Sequence, residues 1–269
     1  RDTDRSRGLG DVYKRQFFNY LGVKTLAEAR QLDAKYIRDC YDKFMYENEI
    51  MVTSRDNNIC IGDPIRLFAQ GEYAGVPVLA GNTEDEFPFM IDAQNEEELE
   101  KKASAWFCKK AEEFLAIPQV HEQTKDGYAP VSGMELMTKA AFLLNEKSVK
   151  PANCYYYRFA PDIPGEDHPG TFHSVDLWFF FETLAKCWRP FVGRHYDLAR
   201  QMCNYWANFI KYGDPNGTDD DGKVLPKWNP YQENDRAEMV FTAQGAKSGN
   251  EKNSKLMEFL LSDRIERMK

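Results

Sequence analysis

The chain has no long apolar run. The stretch Leu177–Phe181 is five residues long, against the roughly 18 or more that a membrane-crossing helix needs, so no membrane partner is expected. A basic excess is missing too: 35 Lys and Arg stand against 43 Asp and Glu, a net charge of −8. The bases are interleaved with acids, as in Glu96–Lys102, which is the pattern of a solvated helical face. Nucleic acid or an anionic membrane would require a clustered basic face, and none is present. Cysteine is sparse, with six residues at positions 40, 60, 108, 154, 187 and 203 and no CxxC. They are read as free thiols in core positions, which leans towards a cytoplasmic protein. There is no internal repeat and no linker to a second domain.

Metal sites are excluded on spacing. The four histidines include His168 and His173, which lack the i, i+4 separation and carboxylate partner of a zinc helix. Asp219-Asp220-Asp221-Gly222 lacks the alternating ligands and terminal glutamate of a calcium loop. No metal and no cofactor is therefore expected. Asn216-Gly217-Thr218 would accept a glycan only in a secreted eukaryotic protein.

What the chain does have is length, 269 residues with 42% apolar content, enough for a sizeable core. Thr25-Leu26-Ala27-Glu28 is a capping box that predicts a helix to about Asn48, with Leu26, Ala29, Leu32, Ile37 and Tyr41 on its apolar face. Residues 50–70 read as irregular, with turns at Asp56-Asn57-Asn58 and Gly62-Asp63-Pro64, then a short helix with proline at its first position. A strand at 76–80 precedes a helix from Asn95 to about Ile117, stopped by Pro118. Ser132-Gly133-Met134-Glu135 is a second capping box, opening a helix to about Asn145 that carries Leu136, Ala140, Phe142 and Leu143. A strand at 153–159, a helix over the aromatic run after His173, and a helix from Arg194 to Tyr212 capped by Gly213 follow. Ala237–Thr242 reads as the last strand and Asn253–Met268 as the closing helix. Strands alternating with long helices indicate an α/β protein.

Two junctions stand out. Gly170-Thr171-Phe172-His173-Ser174-Val175-Asp176 places a histidine just past a strand and a loop rich in Pro, Gly and acid. The strand at 76–80 ends in Gly81 and delivers Glu84, Asp85 and Glu86. In open α/β sheets, catalytic groups gather at the carboxyl ends of strands. An acid first and a histidine later is the order that follows the serine in α/β-hydrolases. Position and charge do not choose among the three acids.

These stretches, with Tyr205-Trp206-Ala207-Asn208-Phe209, Gly213-Asp214-Pro215-Asn216-Gly217 and Leu225-Pro226-Lys227-Trp228-Asn229-Pro230-Tyr231, resemble the C-terminal half of a type-B carboxylesterase. That family includes bacterial para-nitrobenzyl esterases and the cholinesterases. Val76–Glu86 is similar to its strand plus Asp-Glu-Gly turn, and Gly170–Asp176 to its Gly-x-x-His-x-x-acid. The resemblance implies the C-terminal portion of an α/β-hydrolase fold, and hydrolysis of small carboxylic esters through a Ser-Glu-His triad. It assigns Glu86 as the acid and His173 as the histidine. Asp176 then has two readings, fixing the histidine loop by accepting backbone hydrogen bonds at a helix start or simply capping the following helix. Phe87 departs from the family, which usually has glycine there.

No serine lies in Gly-x-Ser-x-Gly, the turn that presents a nucleophile. Gly245-Ala246-Lys247-Ser248-Gly249 has the wrong spacing, and no glycine-rich oxyanion segment is present. The resemblance places both elements upstream of residue 17. Ser6–Gln16 resembles a translated transposon adapter, so residues 1–16 are read as a non-native artefact and 17–269 as the incomplete hydrolase domain. The alternative in another class is a non-catalytic, cholinesterase-like binding or adhesion protein on the same fold.

Overall fold

The computed structural model describes residues 9–48, 61–62, 64–91, 93–124, 127–251 and 254–268. The chain forms two compact units, Arg1–Glu72 and Tyr73–Lys269. In the first, α1 (Leu9–Tyr20), α2 (Leu26–Ala29), α3 (Ala34–Asn48) and α4 (Pro64–Ala69) are short helices. Leu21, Val23 and Ala29 form a small core with Phe17, Phe18, Leu32, Ile37 and Cys40 against it.

The single helix expected from Thr25 to Asn48 is two. Thr25 does cap, its hydroxyl accepting Glu28 N–H at 3.2 Å, but one turn later Asp33 opens a new helix by accepting Tyr36 N–H at 3.0 Å. A second N-cap inside a helical pattern competes with continuation. Leu26 and Tyr41, expected on the apolar face, are exposed. The turn at Asp56-Asn57-Asn58, like Cys60, lies outside the described residues, and α4 begins on Pro64 as expected.

The second unit runs β1 (Val78–Thr83), β2 (Pro88–Ile91), α5 (Glu96–Phe107), α6 (Ala111–Leu115), β3 (Gln123–Thr124), β4 (Gly127–Ser132), α7 (Gly133–Glu146), β5 (Cys154–Phe159), α8 (Leu177–Phe180), α9 (Gly193–Tyr212), β6 (Ala237–Thr242), β7 (Gly245–Asn250) and α10 (Lys255–Met268). The main sheet has the order β1-β5-β6-β7. Its first three strands are parallel, with Val78 opposite Cys154 and Tyr157 opposite Met239, and β7 returns antiparallel. A central parallel strand is covered on both faces and reads as continuous apolar text. This is why Cys154-Tyr155-Tyr156-Tyr157-Arg158-Phe159 is buried at all but Arg158.

Alternate β5 residues serve opposite faces. Tyr155, Tyr157 and Phe159 enter a core with Phe179, Tyr205, Trp228 and Phe241. Tyr156 turns the other way, towards Lys139 of α7, whose ammonium lies 4.6 Å from the Tyr156 ring centre. Lys139 is fully buried. Its Nζ meets Glu135 at 2.6 Å and Glu251 at 3.3 Å, and Glu251 accepts the Tyr231 hydroxyl at 2.8 Å.

Several elements differ from their expected bounds. β1 starts two residues later than expected and continues through Gly81, Asn82 and Thr83. A side chain at Gly81 would collide with the Tyr157 carbonyl and ring, so glycine is required by close strand approach. Buried Asn82 accepts the Tyr156 hydroxyl. The helix expected from Asn95 to Ile117 breaks at Cys108, which has φ 50°. β2, β3 and β4 form a small antiparallel sheet that glycine and proline at 127 and 130 concealed. β7 follows the strand expected to be last, and its residues Gly-Ala-Lys-Ser-Gly-Asn carry little β signal. It is held by its antiparallel ladder with β6 and by Ala246 N–H donating to Gln201 at 2.7 Å. The aromatic run gives only the single turn of α8. Gly213 caps α9 with φ 70°, as expected. Of the cysteines described, only Cys154 is buried, so core positions were expected too widely.

Candidate active site

Thr83 ends β1, and the chain then turns through Glu84, Asp85 and Glu86. Three adjacent carboxylates, equivalent by sequence position, have three different partners. Glu84 N–H extends the ladder by donating to the Phe159 carbonyl at 2.8 Å, and its carboxylate receives Arg158 at 2.8 and 3.0 Å. Asp85 accepts Thr171 N–H at 2.7 Å. Glu86 is buried, and its Oε1 lies 2.5 Å from His173 Nδ1.

Glu86 is fixed before it meets the ring. Its Oε2 accepts the Thr83 hydroxyl at 3.2 Å, and Oε1 also accepts Phe87 N–H at 3.0 Å. A carboxylate accepts, so Nδ1–H donates and the lone pair is left on Nε2. The His173 side chain is 43% exposed, and among the described residues Nε2 makes no hydrogen bond. Phe87, which departs from the family pattern, lies over the imidazole with ring centres 4.4 Å apart and planes 30° apart. The turn closes without glycine at 87.

Asp176 is near this pair but not in contact with the ring. It sits at the N-cap position of α8 with no side-chain capping hydrogen bond, although the Asp176 and Leu177 backbone N–H groups help to stabilise its charge. Its Oδ2 instead accepts the Tyr157 hydroxyl at 2.9 Å, tying the start of α8 to the middle of β5. Burial pushes the Asp176 carboxyl up from its ordinary range; the Tyr157 hydrogen bond works against this and the neighbouring Glu86 charge adds to it. Burial, with the Asp176 charge next, holds the Tyr157 phenol far above its usual value.

Of the other histidines, His195 is buried at the start of α9, where Nδ1 accepts Val192 N–H at 2.9 Å. Burial lowers its pKa. Sequence reading gave no role to His195, Lys139 or Tyr157. Lys139 was detectable, because it lies on the same stripe as Leu136, Ala140 and Leu143. Among the described residues no three His, Cys, Asp or Glu gather as a metal would need, and no helix is long and apolar enough to cross a membrane.

A mixed sheet of parallel strands with an acid beyond one strand end and a histidine beyond the next is the arrangement of an α/β-hydrolase. The solved structures agree. A thermophilic PNB esterase superposes with TM-score 0.65 at 18% identity, covering 93% of this chain and 53% of that one. An esterase from anaerobic Clostridium hathewayi that can hydrolyze aliphatic aromatic polyesters gives 0.58 at 17%, covering 98% and 53%. Human cocaine esterase is 24% identical over 199 residues, 64% of this chain and 35% of its own. The Carboxylesterase family profile matches residues 23–260, and the chain belongs to that family. It spans about half the length of the solved structures it resembles and about a third of human cocaine esterase.

Proposed function

We propose that this chain supplies the acid and the histidine of an enzyme that hydrolyses carboxylic esters through an acyl-enzyme. His173 Nε2 takes the proton from a serine hydroxyl as its oxygen attacks the ester carbonyl. It then gives that proton to the departing alkoxide. A water molecule repeats the sequence against the acyl-enzyme and releases the acid. Glu86 holds Nδ1–H, so that Nε2 faces outward unprotonated, and stabilises the imidazolium as it forms. Tyr157 and Asp176 brace the segment that follows the histidine.

The observation that carries this reading is the 2.5 Å contact between Glu86 and Nδ1, with the His173 side chain 43% exposed and no hydrogen-bond partner for the opposite nitrogen among the described residues. A histidine kept only for structure has no need of an open second nitrogen. The serine and oxyanion donors are assigned to polypeptide outside this sequence, in which no Gly-x-Ser-x-Gly occurs. Residues 17–269 are on this reading the C-terminal part of a longer hydrolase domain, with a small carboxylic ester as substrate.

The test is to recover the upstream coding sequence and assay the complete enzyme. A Gly-x-Ser-x-Gly elbow with turnover lost in His173→Ala supports the proposal. A different residue at the nucleophile position, with no turnover, supports a binding protein on the same fold.

A further inference from the structure

We propose that Asp85 is a positioning residue for His173, holding the histidine's loop so that the neighbouring Glu86 meets Nδ1. The proposal rests on the reading of His173 as the proton-transferring group. Asp85 does not touch the ring. Its carboxylate accepts Thr171 N–H at 2.7 Å, and its own N–H donates to the Thr171 carbonyl at 3.2 Å. Both sides of Thr171 are therefore held by one residue, and Asp85 and Phe172 form a parallel bridge. This graft of the histidine loop onto the end of β1 spans 86 residues of sequence.

The fit is close on the loop side as well. Gly170 has φ +64°, and a side chain there would collide with the Asp85 carboxylate. Only Phe172 separates the held residue from His173. Ser174, with φ 68°, then turns the chain, and Val175 N–H closes back onto the Phe172 carbonyl at 3.2 Å. Glu86 follows Asp85 directly, so one short turn fixes both the loop and the ring nitrogen. Among the described residues the Asp85 carboxylate has no ion pair, so its acceptor capacity is directed at this backbone. Glu84 is different: its contact is to Arg158 and would leave the histidine loop where it is.

The test compares Asp85→Ala, Asp85→Asn and Gly170→Ala in the full 269-residue chain by NMR. Thr171 amide exchange and the His173 Nδ1–H resonance are both read. Asp85→Ala and Gly170→Ala, acting from opposite sides, should speed Thr171 exchange about tenfold or more and remove the Nδ1–H signal. Asp85→Asn, whose amide oxygen still accepts, should keep both. In the complete enzyme Asp85→Ala should lower kcat on the order of 10²-fold, the scale of a 1 Å misplacement. KM should stay unchanged, and Asp85→Asn should restore most of the rate. Faster Thr171 exchange with Nδ1–H and kcat unaltered would overturn the proposal and make Asp85 a loop staple only. If His173→Ala left turnover intact while the NMR coupling held, the proposed function would fail and the hold of Asp85 on the imidazole would stand.

Discussion

Adjacent residues of β5 serve two ionic clusters of opposite character. Tyr156 faces Lys139, which is fully buried, meets two carboxylates and lies over two aromatic rings. Tyr157 faces Asp176 near Glu86 and His173, where the acid is buried and the base is 43% exposed. The first cluster is closed. Charge, hydrogen bonds and ring faces are all used internally, which is what a buried ion needs to avoid a large desolvation penalty. The second is closed on one side only: Nδ1 is held and, among the described residues, Nε2 makes no hydrogen bond. On the proposed function the closed cluster holds the fold together, and the half-open one exchanges protons with the substrate.

The comparison predicts a clean separation of effects. His173→Ala in the complete enzyme should lower kcat by about 10⁴-fold or more while leaving the urea midpoint near that of the parent. Ester turnover close to wild type would break the contrast from the catalytic side. Lys139→Ala should do the reverse. It leaves the half-buried Glu135 and Glu251 without their buried cation, at a cost of up to about 3 kcal/mol, read from chemical unfolding. Activity per folded molecule should be retained. A large loss of kcat in well-folded Lys139→Ala would show that the closed cluster takes part in the chemistry.

The order acid-then-histidine was legible in the sequence, because strand ends and their following loops leave local signals. Which acid pairs with the histidine was not. Glu84, Asp85 and Glu86 share one strand end, and what separates them is the placement of Arg158, Thr171 and His173, all more than 70 residues away. The family resemblance singled out Glu86, and the residue is the one in contact with the ring. Asp176 was visible as an acid near a helix start, but its actual partner, Tyr157, comes from the opposite end of a strand–loop connection. Lys139 was passed over because a lysine in an amphipathic helix ordinarily faces water, although its i+3 spacing from Leu136 placed it on the buried stripe. β7 was missed because polar, glycine-rich text gives no strand signal when its register is set by pairing to β6.

Smaller effects sharpen the picture. Phe87→Gly removes the ring lying over the imidazole, a contact worth about 0.5–1.5 kcal/mol. The His173 ring-proton shifts should move towards solvent values while Glu86 stays in place. An unchanged spectrum would show that the ring contact is absent in solution. His195 predicts a weak pH dependence. Its folded pKa lies below the unfolded value of about 6.5, because burial opposes the charge. Its stabilisation is therefore present above that value and lost as pH falls through the folded pKa. Unfolding midpoints at pH 7.5 and 5.5 should show a larger acid loss in the parent than in His195→Gln. Equal losses would remove His195 as the source.

The central claim is that this chain carries the acid and the histidine and draws its nucleophile from elsewhere. The most direct measurement is hydrolysis of para-nitrophenyl esters by the purified 269-residue chain, with and without a serine-directed organophosphate. No turnover above background, and no covalent adduct by mass spectrometry, is the predicted result. Turnover abolished by the organophosphate, with a single adduct on a serine of this chain, would contradict it.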